Sequence, residues 1–162
     1  MLNFTQPRIR ILLRSLAVVM AILCLTACNS GAPAAQLNNG QPAPAFQTFA
    51  ADGTPIHFPA AFAGKPLVIR FWADWCKYCE GEMKAIESVY QRHRDQGLQV
   101  LAVNAGQDQP TVAAFMKKIG VSYPALLDEQ SKIARSYGVV GLPTTYFVDA
   151  RGIVRGKIVG EA

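Results

Sequence analysis

The chain has 162 residues, of which 51% are hydrophobic and 17% charged, enough for one domain with a buried core. Its formal net charge of +5 is misleading, because three of the 16 basic residues (Arg8, Arg10 and Arg14) precede every acidic residue. The remaining basic residues nearly balance the 11 acidic ones and form no run. This pattern excludes a nucleic-acid-binding surface.

Residues 1–27 are typical of an export signal. A basic start precedes an uncharged apolar run from Ser15 to Ala27, which suits a signal-peptide core and is short for a membrane span of about 20 residues. The run ends in Leu25-Thr26-Ala27-Cys28, which resembles a bacterial lipoprotein signal. The resemblance implies lipidation of Cys28 and a membrane-anchored domain facing the periplasm or cell exterior. An uncleaved anchor or an ordinary signal cut nearby are the alternatives.

Residues 28–45 are rich in Pro, Gly and Ala and predict a tether, which leaves residues 46–162 for the folded domain. Hydrophobic periodicity and turn residues predict the elements of that domain in chain order. These are a β-hairpin of 46–49 and 54–58, a strand over 67–72, a helix over 80–94, a strand over 99–105, a helix over 110–119, a short extended segment over 123–127, a short helix over 131–137, and a hairpin of 144–148 and 153–159. The order predicts an α/β fold with a central sheet and helices on both faces.

Of the four cysteines, only Cys76 and Cys79 lie in the predicted domain. Two cysteines cannot make a disulfide framework, so the Cys-Lys-Tyr-Cys sequence is either redox-active or half of a metal site. Zinc would need two further ligands, and the two histidines, His57 and His93, do not have the spacing of a finger pair. Covalent haem would need a histidine where Glu80 stands. We therefore favour redox chemistry, with no metal and no cofactor.

The position of the pair predicts unequal roles for its two sulfurs. Cys76 follows an apolar strand and precedes a helix, where the helix dipole and Lys77 lower a thiol pKa from about 8.5 toward neutrality. We expect Cys76 to be the exposed nucleophile that attacks a target disulfide. We expect Cys79, one turn further on and less exposed, to resolve the mixed disulfide and leave a Cys76–Cys79 disulfide.

Several motifs resemble the TlpA/ResA-like branch of the thioredoxin family. These are Phe71-Trp72-Ala73-Asp74-Trp75-Cys76-Lys77-Tyr78-Cys79, Val103-Asn104-Ala105-Gly106, Tyr123-Pro124-Ala125-Leu126-Leu127-Asp128 and Tyr137-Gly138-Val139-Val140-Gly141-Leu142-Pro143-Thr144-Thr145-Tyr146-Phe147-Val148-Asp149. The resemblance covers about residues 41–160 and implies a thioredoxin fold with a central mixed sheet. It also implies a substrate-binding wall of Trp75, Leu142 and Pro143, with Pro143 in a cis-proline loop and the backbone of Leu142 pairing with an extended substrate. A trans turn proline is the alternative.

The chain departs from that branch in three places. Arg70 stands where thioredoxins carry a buried acid, so it must reach solvent or find a partner. Gln107 stands where some ResA-like reductases have a glutamate, and a neutral amide cannot tune the thiols as an acid would. The family usually continues into a C-terminal helix beyond the point where this sequence ends at Ala162. From the resemblance we expect that the sequence is truncated, since such a sheet is covered on both faces; a partner that closes this face is the alternative.

The leading hypothesis is an extracytoplasmic protein thiol–disulfide reductase that a membrane dithiol donor re-reduces, since a reductase in an oxidising compartment needs such a supply. The resemblance implies disulfide-bearing protein substrates, with apocytochrome c in cytochrome c maturation as one case. A disulfide oxidase is the alternative within the same chemistry. A non-catalytic module that holds a metal ion or a partner through Cys76 and Cys79 is the alternative from another class. Peroxidase chemistry is disfavoured, because a peroxidatic cysteine does not need a second cysteine one turn away.

Overall fold

The computed structural model describes residues 37–161. The predicted signal peptide of residues 1–27, the predicted lipidation site Cys28 and the first part of the predicted tether lie outside the described residues. The strands are β1 (Phe46–Phe49), β2 (Pro55–Phe58), β3 (Leu67–Trp72), β4 (Gln99–Ala105), β5 (Ala125–Asp128), β6 (Thr144–Val148) and β7 (Val154–Val159). The helices are α1 (Cys79–His93), α2 (Gln109–Ile119) and α3 (Lys132–Ser136), with short 3₁₀ turns at Ala60–Phe62 and Arg94–Gln96.

The five strands of the central sheet have the order β5-β4-β3-β6-β7. Strands β3, β4 and β5 are mutually parallel, and α1 and α2 make the crossovers that parallel neighbours require. Strand β6 pairs antiparallel with both β3 and β7. Strands β1 and β2 form a separate antiparallel hairpin. The predicted mixed α/β fold and its N-terminal hairpin are thus confirmed.

Alternate residues of the strands point to opposite faces of the sheet and build two separate hydrophobic clusters. Ile69 and Phe71 of β3 face the β1–β2 hairpin and α3, and we call this side the hairpin face. Trp72 faces α1 and α2 together with both cysteines, and we call this side the cysteine face. No helix among residues 37–161 is long and apolar enough to cross a membrane.

The last part of the predicted tether belongs to the folded structure. Leu37 and Ala43 are buried in the hairpin-face cluster. The backbone N–H of Ala43 donates to the carbonyl of Gly152 at 2.9 Å, and that of Val154 donates to Gln41 at 2.9 Å. The ordered domain therefore starts before residue 46, because proline- and alanine-rich chain can still bond to a strand edge and bury its few apolar side chains.

Candidate active site

Cys76 lies within a tight turn between β3 and α1, and Cys79 follows it as the first residue of α1. Residues 73–78 form this turn, which we call the redox turn. The backbone N–H of Cys76 donates to the carbonyl of Ala73 at 3.2 Å, and that of Cys79 donates to the carbonyl of Cys76 at 3.0 Å. Helix α1 begins at Cys79. Cys76 therefore precedes the helix by three residues and does not lie within its first turn.

Cys76 and Cys79 are joined by a disulfide, with an S–S distance of 2.11 Å and a Cα–Cα distance of 5.4 Å. The Cα separation lies inside the usual range for disulfides. Cys79 is fully buried, whereas 7% of the surface of Cys76 is exposed. The expectation of an exposed Cys76 is therefore wrong in degree, because Cys76 belongs to the hydrophobic cluster of the cysteine face, against which Leu142, 66 positions further along the chain, also packs. Cys76 is nevertheless the more exposed of the two cysteines, as expected.

An exposed aromatic side chain directly precedes each of the two cysteines in the sequence. Trp75, directly before Cys76, is 70% exposed, and Tyr78, directly before Cys79, is 42% exposed. Lys77 lies between them with its Nζ 5.1 Å from the centroid of the Tyr78 ring. Exposed aromatic rings next to a buried sulfur offer contact area to a partner rather than to the core of this domain.

The Leu142–Pro143 peptide bond is cis. Pro143 is buried, while Leu142 is half-buried and packs against the clusters on both faces. Within residues 37–161, neither the N–H nor the carbonyl of Leu142 bonds to another backbone group. Val140, two residues earlier, is 79% exposed. This loop therefore has a free backbone edge and an exposed apolar side chain.

A polar network that the sequence analysis did not predict supports the redox turn. Gln107, two residues after the end of β4, accepts hydrogen bonds from the backbone N–H of Asp74 and from Asn104 Nδ2, both at 2.9 Å. Its own Nε2 donates to Asp74 Oδ1 at 2.5 Å. Asn104 is fully buried at the end of β4 and lies opposite Trp72 in the sheet register. We call the hydrogen bonds among Asp74, Asn104 and Gln107 the Gln107 clamp.

Arg70 finds the partner that its buried position requires. It is 2% exposed on the cysteine face, where it forms an ion pair with Glu82 of α1. Its Nη1 also donates to Thr145 Oγ1 of β6 at 2.7 Å. A guanidinium thus occupies the strand position that carries an acid in thioredoxins, and it ties α1 to two strands of the sheet.

The acidic group next to Cys79 is held in its ionised form. Glu80 accepts hydrogen bonds from Lys118 of α2 at 2.7 Å and from Lys84 at 2.8 Å. These bonds, chiefly the one from Lys118, lower the pKa of Glu80 to about 2. Its negative charge is therefore shared with two lysines. Among residues 37–161, no three His, Cys, Asp or Glu side chains are grouped so that they could hold a metal ion.

Comparison with known proteins places this site in a family. Residues 39–157 match the AhpC/TSA family. The chain belongs to that family. Within it, the chain is 37% identical over 99 residues to the thiol-disulfide oxidoreductase ResA of Geobacillus thermodenitrificans, an alignment that covers 61% of this chain and 57% of the relative. It is 33% identical over 122 residues to ResA of Bacillus thuringiensis subsp. konkukian, covering 75% of this chain and 70% of the relative.

A solved structure supports the same placement. The thiol:disulfide interchange protein, a thioredoxin family protein from Chlorobium tepidum, superposes with a TM-score of 0.68 at 30% identity, covering 77% of this chain and 89% of that one. The predicted resemblance to ResA-like proteins of the thioredoxin family is therefore confirmed. The chain spans a little over half the length of the ResA from Geobacillus thermodenitrificans.

Proposed function

We propose that this protein is a thiol–disulfide oxidoreductase that reduces disulfides in other proteins, with Cys76 as nucleophile and Cys79 as resolving thiol. The observation that best supports this proposal is the unequal burial of the two disulfide-bonded cysteines. Cys79 is fully buried, whereas Cys76 is partly exposed and lies beside exposed apolar side chains. The more exposed of the two cysteines, Cys76, is the one that a second protein can contact. The relatives' names, ResA thiol-disulfide oxidoreductase and thiol:disulfide interchange protein, support the same chemistry.

The reaction starts from the reduced protein. The Cys76 thiolate attacks one sulfur of the substrate disulfide, forms a mixed disulfide, and releases the other substrate sulfur as a thiolate that takes a proton from solvent. Cys79, deprotonated, then attacks the Cys76 sulfur and displaces the second substrate sulfur, which is also protonated. The substrate gains two electrons and two protons, and the protein is left with the Cys76–Cys79 disulfide. A dithiol donor at the membrane returns the two electrons.

The substrate binds between the redox turn and the cis-proline loop. Trp75 supplies an exposed aromatic ring on one side, and Pro143 forms the buried base of the loop on the other. The unpaired backbone groups of Leu142 allow an extended substrate segment to pair with them as an added strand. This recognition requires an unfolded or loosely structured stretch around the substrate cysteines, as in an apocytochrome c before haem attachment.

The location of the protein is part of the same proposal. Residues 1–27 act as an export signal and Cys28 carries the lipid. The segment that follows Cys28 joins the lipid to the folded domain. Membrane fractionation of cells that express the full chain tests this. Wild type should be recovered with membranes and incorporate labelled palmitate, and Cys28→Ala should do neither. Equal labelling of the two would contradict lipidation at Cys28.

Insulin reduction in the presence of a dithiol tests the activity. Wild type should accelerate the reaction, Cys76→Ser should fall to the uncatalysed rate, and Cys79→Ser should accumulate a mixed disulfide with the substrate. Cys28→Ala, the matched cysteine control, should keep full activity. Equal activity of wild type and Cys76→Ser would end the proposal. Equilibration with glutathione should give a potential near the reducing end of the range from about −270 to −120 mV, and a value near the oxidising end would favour a disulfide oxidase.

A further inference from the structure

The Gln107 clamp joins the redox turn to a buried residue of the central sheet. Asn104, its anchor, is fully buried and lies beside Trp72 on the central strand pair. The chain reverses at Gly106, whose φ of +92° is a conformation that favours glycine, and this turn brings Gln107 back toward Asn104. The backbone N–H of Gln107 then donates to Asn104 Oδ1 at 3.2 Å. The clamp therefore starts from a fixed point and ends on Asp74, two residues before Cys76.

We propose that Gln107 is a positioning residue that holds the redox turn in place once the Cys76–Cys79 disulfide is reduced. The inference rests on the proposed function. In the oxidised protein the disulfide itself ties Cys76 to the first residue of α1. After reduction that covalent link is gone, and Cys79 must still reach Cys76 to resolve a mixed disulfide. The Gln107 clamp holds the backbone N–H of Asp74 and includes no atom of the disulfide, so it can keep the turn in its native shape after reduction.

The side chain at position 107 must donate and accept at the same time. Its oxygen accepts hydrogen bonds from the backbone N–H of Asp74 and from the side-chain amide of Asn104, whereas its nitrogen donates one to the carboxylate of Asp74. A glutamine meets all three partners, and its hydrogen bonds do not depend on its own ionisation. A glutamate would set a second carboxylate against Asp74. Two carboxylates in contact share a proton, and one of them then titrates well above its ordinary range.

The charged groups around the clamp are already engaged elsewhere. Lys118 of α2 lines the same surface depression as Asp74 and is ion-paired with Glu80 of α1. Lys77 on the redox turn lies over the Tyr78 ring. Asp108, next to Gln107, accepts the backbone N–H of Thr111 and so caps α2. The hydrogen bond from the Gln107 amide to Asp74 therefore does not duplicate an existing ion pair of that carboxylate.

The test uses the pH dependence of Cys76 alkylation in the reduced full chain, with the other cysteines followed separately by peptide mapping. Wild type should show one ionisation step, that of the thiol. Gln107→Glu should add a second ionisation step, that of the carboxylate pair. Above the pH of this step, where the shared proton is lost, Cys76 should react about tenfold more slowly than in wild type, as expected for the loss of a hydrogen bond to a charged group. Gln109→Glu, which adds the same charge two residues away, should match wild type.

The double variant Asp74→Asn/Gln107→Glu gives the decisive result. It exchanges the donor and the acceptor between the two side chains without changing the net charge, so the second step should disappear and the wild-type rate should return. The inference is overturned if Gln107→Glu gives the wild-type profile, or if the double variant keeps the defect of the single one. Because alkylation needs no protein substrate, this result stands apart from insulin reduction, whose failure in wild type would overturn the proposed function alone.

Discussion

The two faces of the central sheet differ in how they treat polar groups. The hairpin face is packed with apolar side chains and aromatic rings, and its buried tyrosines donate their hydroxyls to backbone carbonyls, as Tyr137 does to Pro44 at 2.9 Å. The cysteine face holds a disulfide, a buried ion pair and a buried asparagine. Among residues 37–161, the buried side-chain nitrogens without a hydrogen-bond partner, Arg70 Nε and Trp72 Nε1, both belong to it.

This difference separates stability from chemistry within one sheet. Strand β3 contributes to both faces, because Phe71 points into the aromatic cluster while its neighbours Arg70 and Trp72 point toward α1 and α2. On the hairpin face, apolar burial favours the folded state, and the buried carboxylate of Asp128 is satisfied by the backbone N–H groups of Ile133 and Ala134. The cysteine face accepts the cost of desolvated polar groups and thereby fixes the position of α1, on which the resolving cysteine lies. Substitutions on the two faces should therefore have different signatures.

The largest effect is expected from Phe71→Ala on the hairpin face. Phe71 is fully buried, with its ring centroid 5.2 Å from that of Tyr137 and 6.1 Å from that of Tyr146. Removing the ring should lower the free energy of unfolding by about 4 kcal/mol, the usual cost of truncating a buried aromatic residue. Urea denaturation of the oxidised protein measures this, and the redox equilibrium of the cysteine pair with glutathione should stay unchanged.

Phe49→Ala is the matched control, since this phenylalanine is exposed at the end of β1. It should change the free energy of unfolding by no more than about 0.5 kcal/mol. If Phe71→Ala costs as little as Phe49→Ala, the aromatic cluster does not carry the stability assigned to it. A shift in the redox equilibrium of Phe71→Ala would show that the two faces are coupled.

The next effect is on the cysteine face, where Glu82→Gln removes the charge that faces Arg70. A buried guanidinium without its carboxylate should cost about 3 kcal/mol of unfolding free energy. Replacement of both partners, as in Arg70→Met/Glu82→Leu, should recover most of the loss, because no buried charge remains. Urea denaturation of the three proteins gives the comparison. A double variant less stable than Glu82→Gln would mean that the intact ion pair stabilises the domain, and that the loss in Glu82→Gln does not come from leaving Arg70 buried without its partner.

The elements of the sheet could be predicted from the sequence because their signals are local. The boundaries of β3 and β4 are as predicted, and α2 begins where the sequence has Asp108, whose side chain caps the helix by accepting the N–H of Thr111. The surroundings of the cysteines are not local. The bond from Asp74 to Gln107 joins residues 33 positions apart. The burial of Cys76 and the packing of residues 37–43 on β7 likewise depend on contacts that only the folded chain brings together.

A smaller effect is expected from buried tyrosines, one on each face. Tyr123 on the cysteine face donates to the carbonyl of Met83 at 2.8 Å, and Tyr137 is its counterpart on the hairpin face. Burial raises the pKa of both phenols above the ordinary value of 10.0. Their contribution is therefore fully present below pH 10 and declines above it, where tyrosines of the unfolded chain ionise and those of the folded chain do not.

Tyr123→Phe should lower the free energy of unfolding by about 1 kcal/mol at pH 8, the net value of one hydrogen bond. Above pH 10 its stability should fall less steeply than that of wild type, because one phenol fewer ionises on unfolding. Urea denaturation of the oxidised protein at pH 8 and pH 10.5 measures both quantities. Parallel curves for the two proteins would contradict the raised pKa of Tyr123.

The smallest effect is expected from Glu80→Gln, two residues from Glu82 on the same helix. Glu80 pairs with Lys118 and Lys84 at the surface, and these partners lower its pKa to about 2. A lowered pKa means that the stabilising contribution is present above pH 4.5 and is lost as the pH falls toward 2. Solvent and salt screen an exposed pair, so at pH 7 and about 150 mM salt the variant should unfold at the same urea concentration as wild type.

Glu80→Gln and Glu82→Gln make the same chemical change two residues apart on α1, and only the environment of the carboxylate differs. A small loss in Glu80→Gln that appears at low salt and vanishes at high salt would agree with a screened surface pair. The loss in Glu82→Gln should persist at both salt concentrations, since its partner Arg70 is buried. If the two variants were equally destabilised, burial would not explain the difference between the two ion pairs. The loss of unfolding free energy in Glu82→Gln would then come from α1 itself rather than from its contact with the sheet.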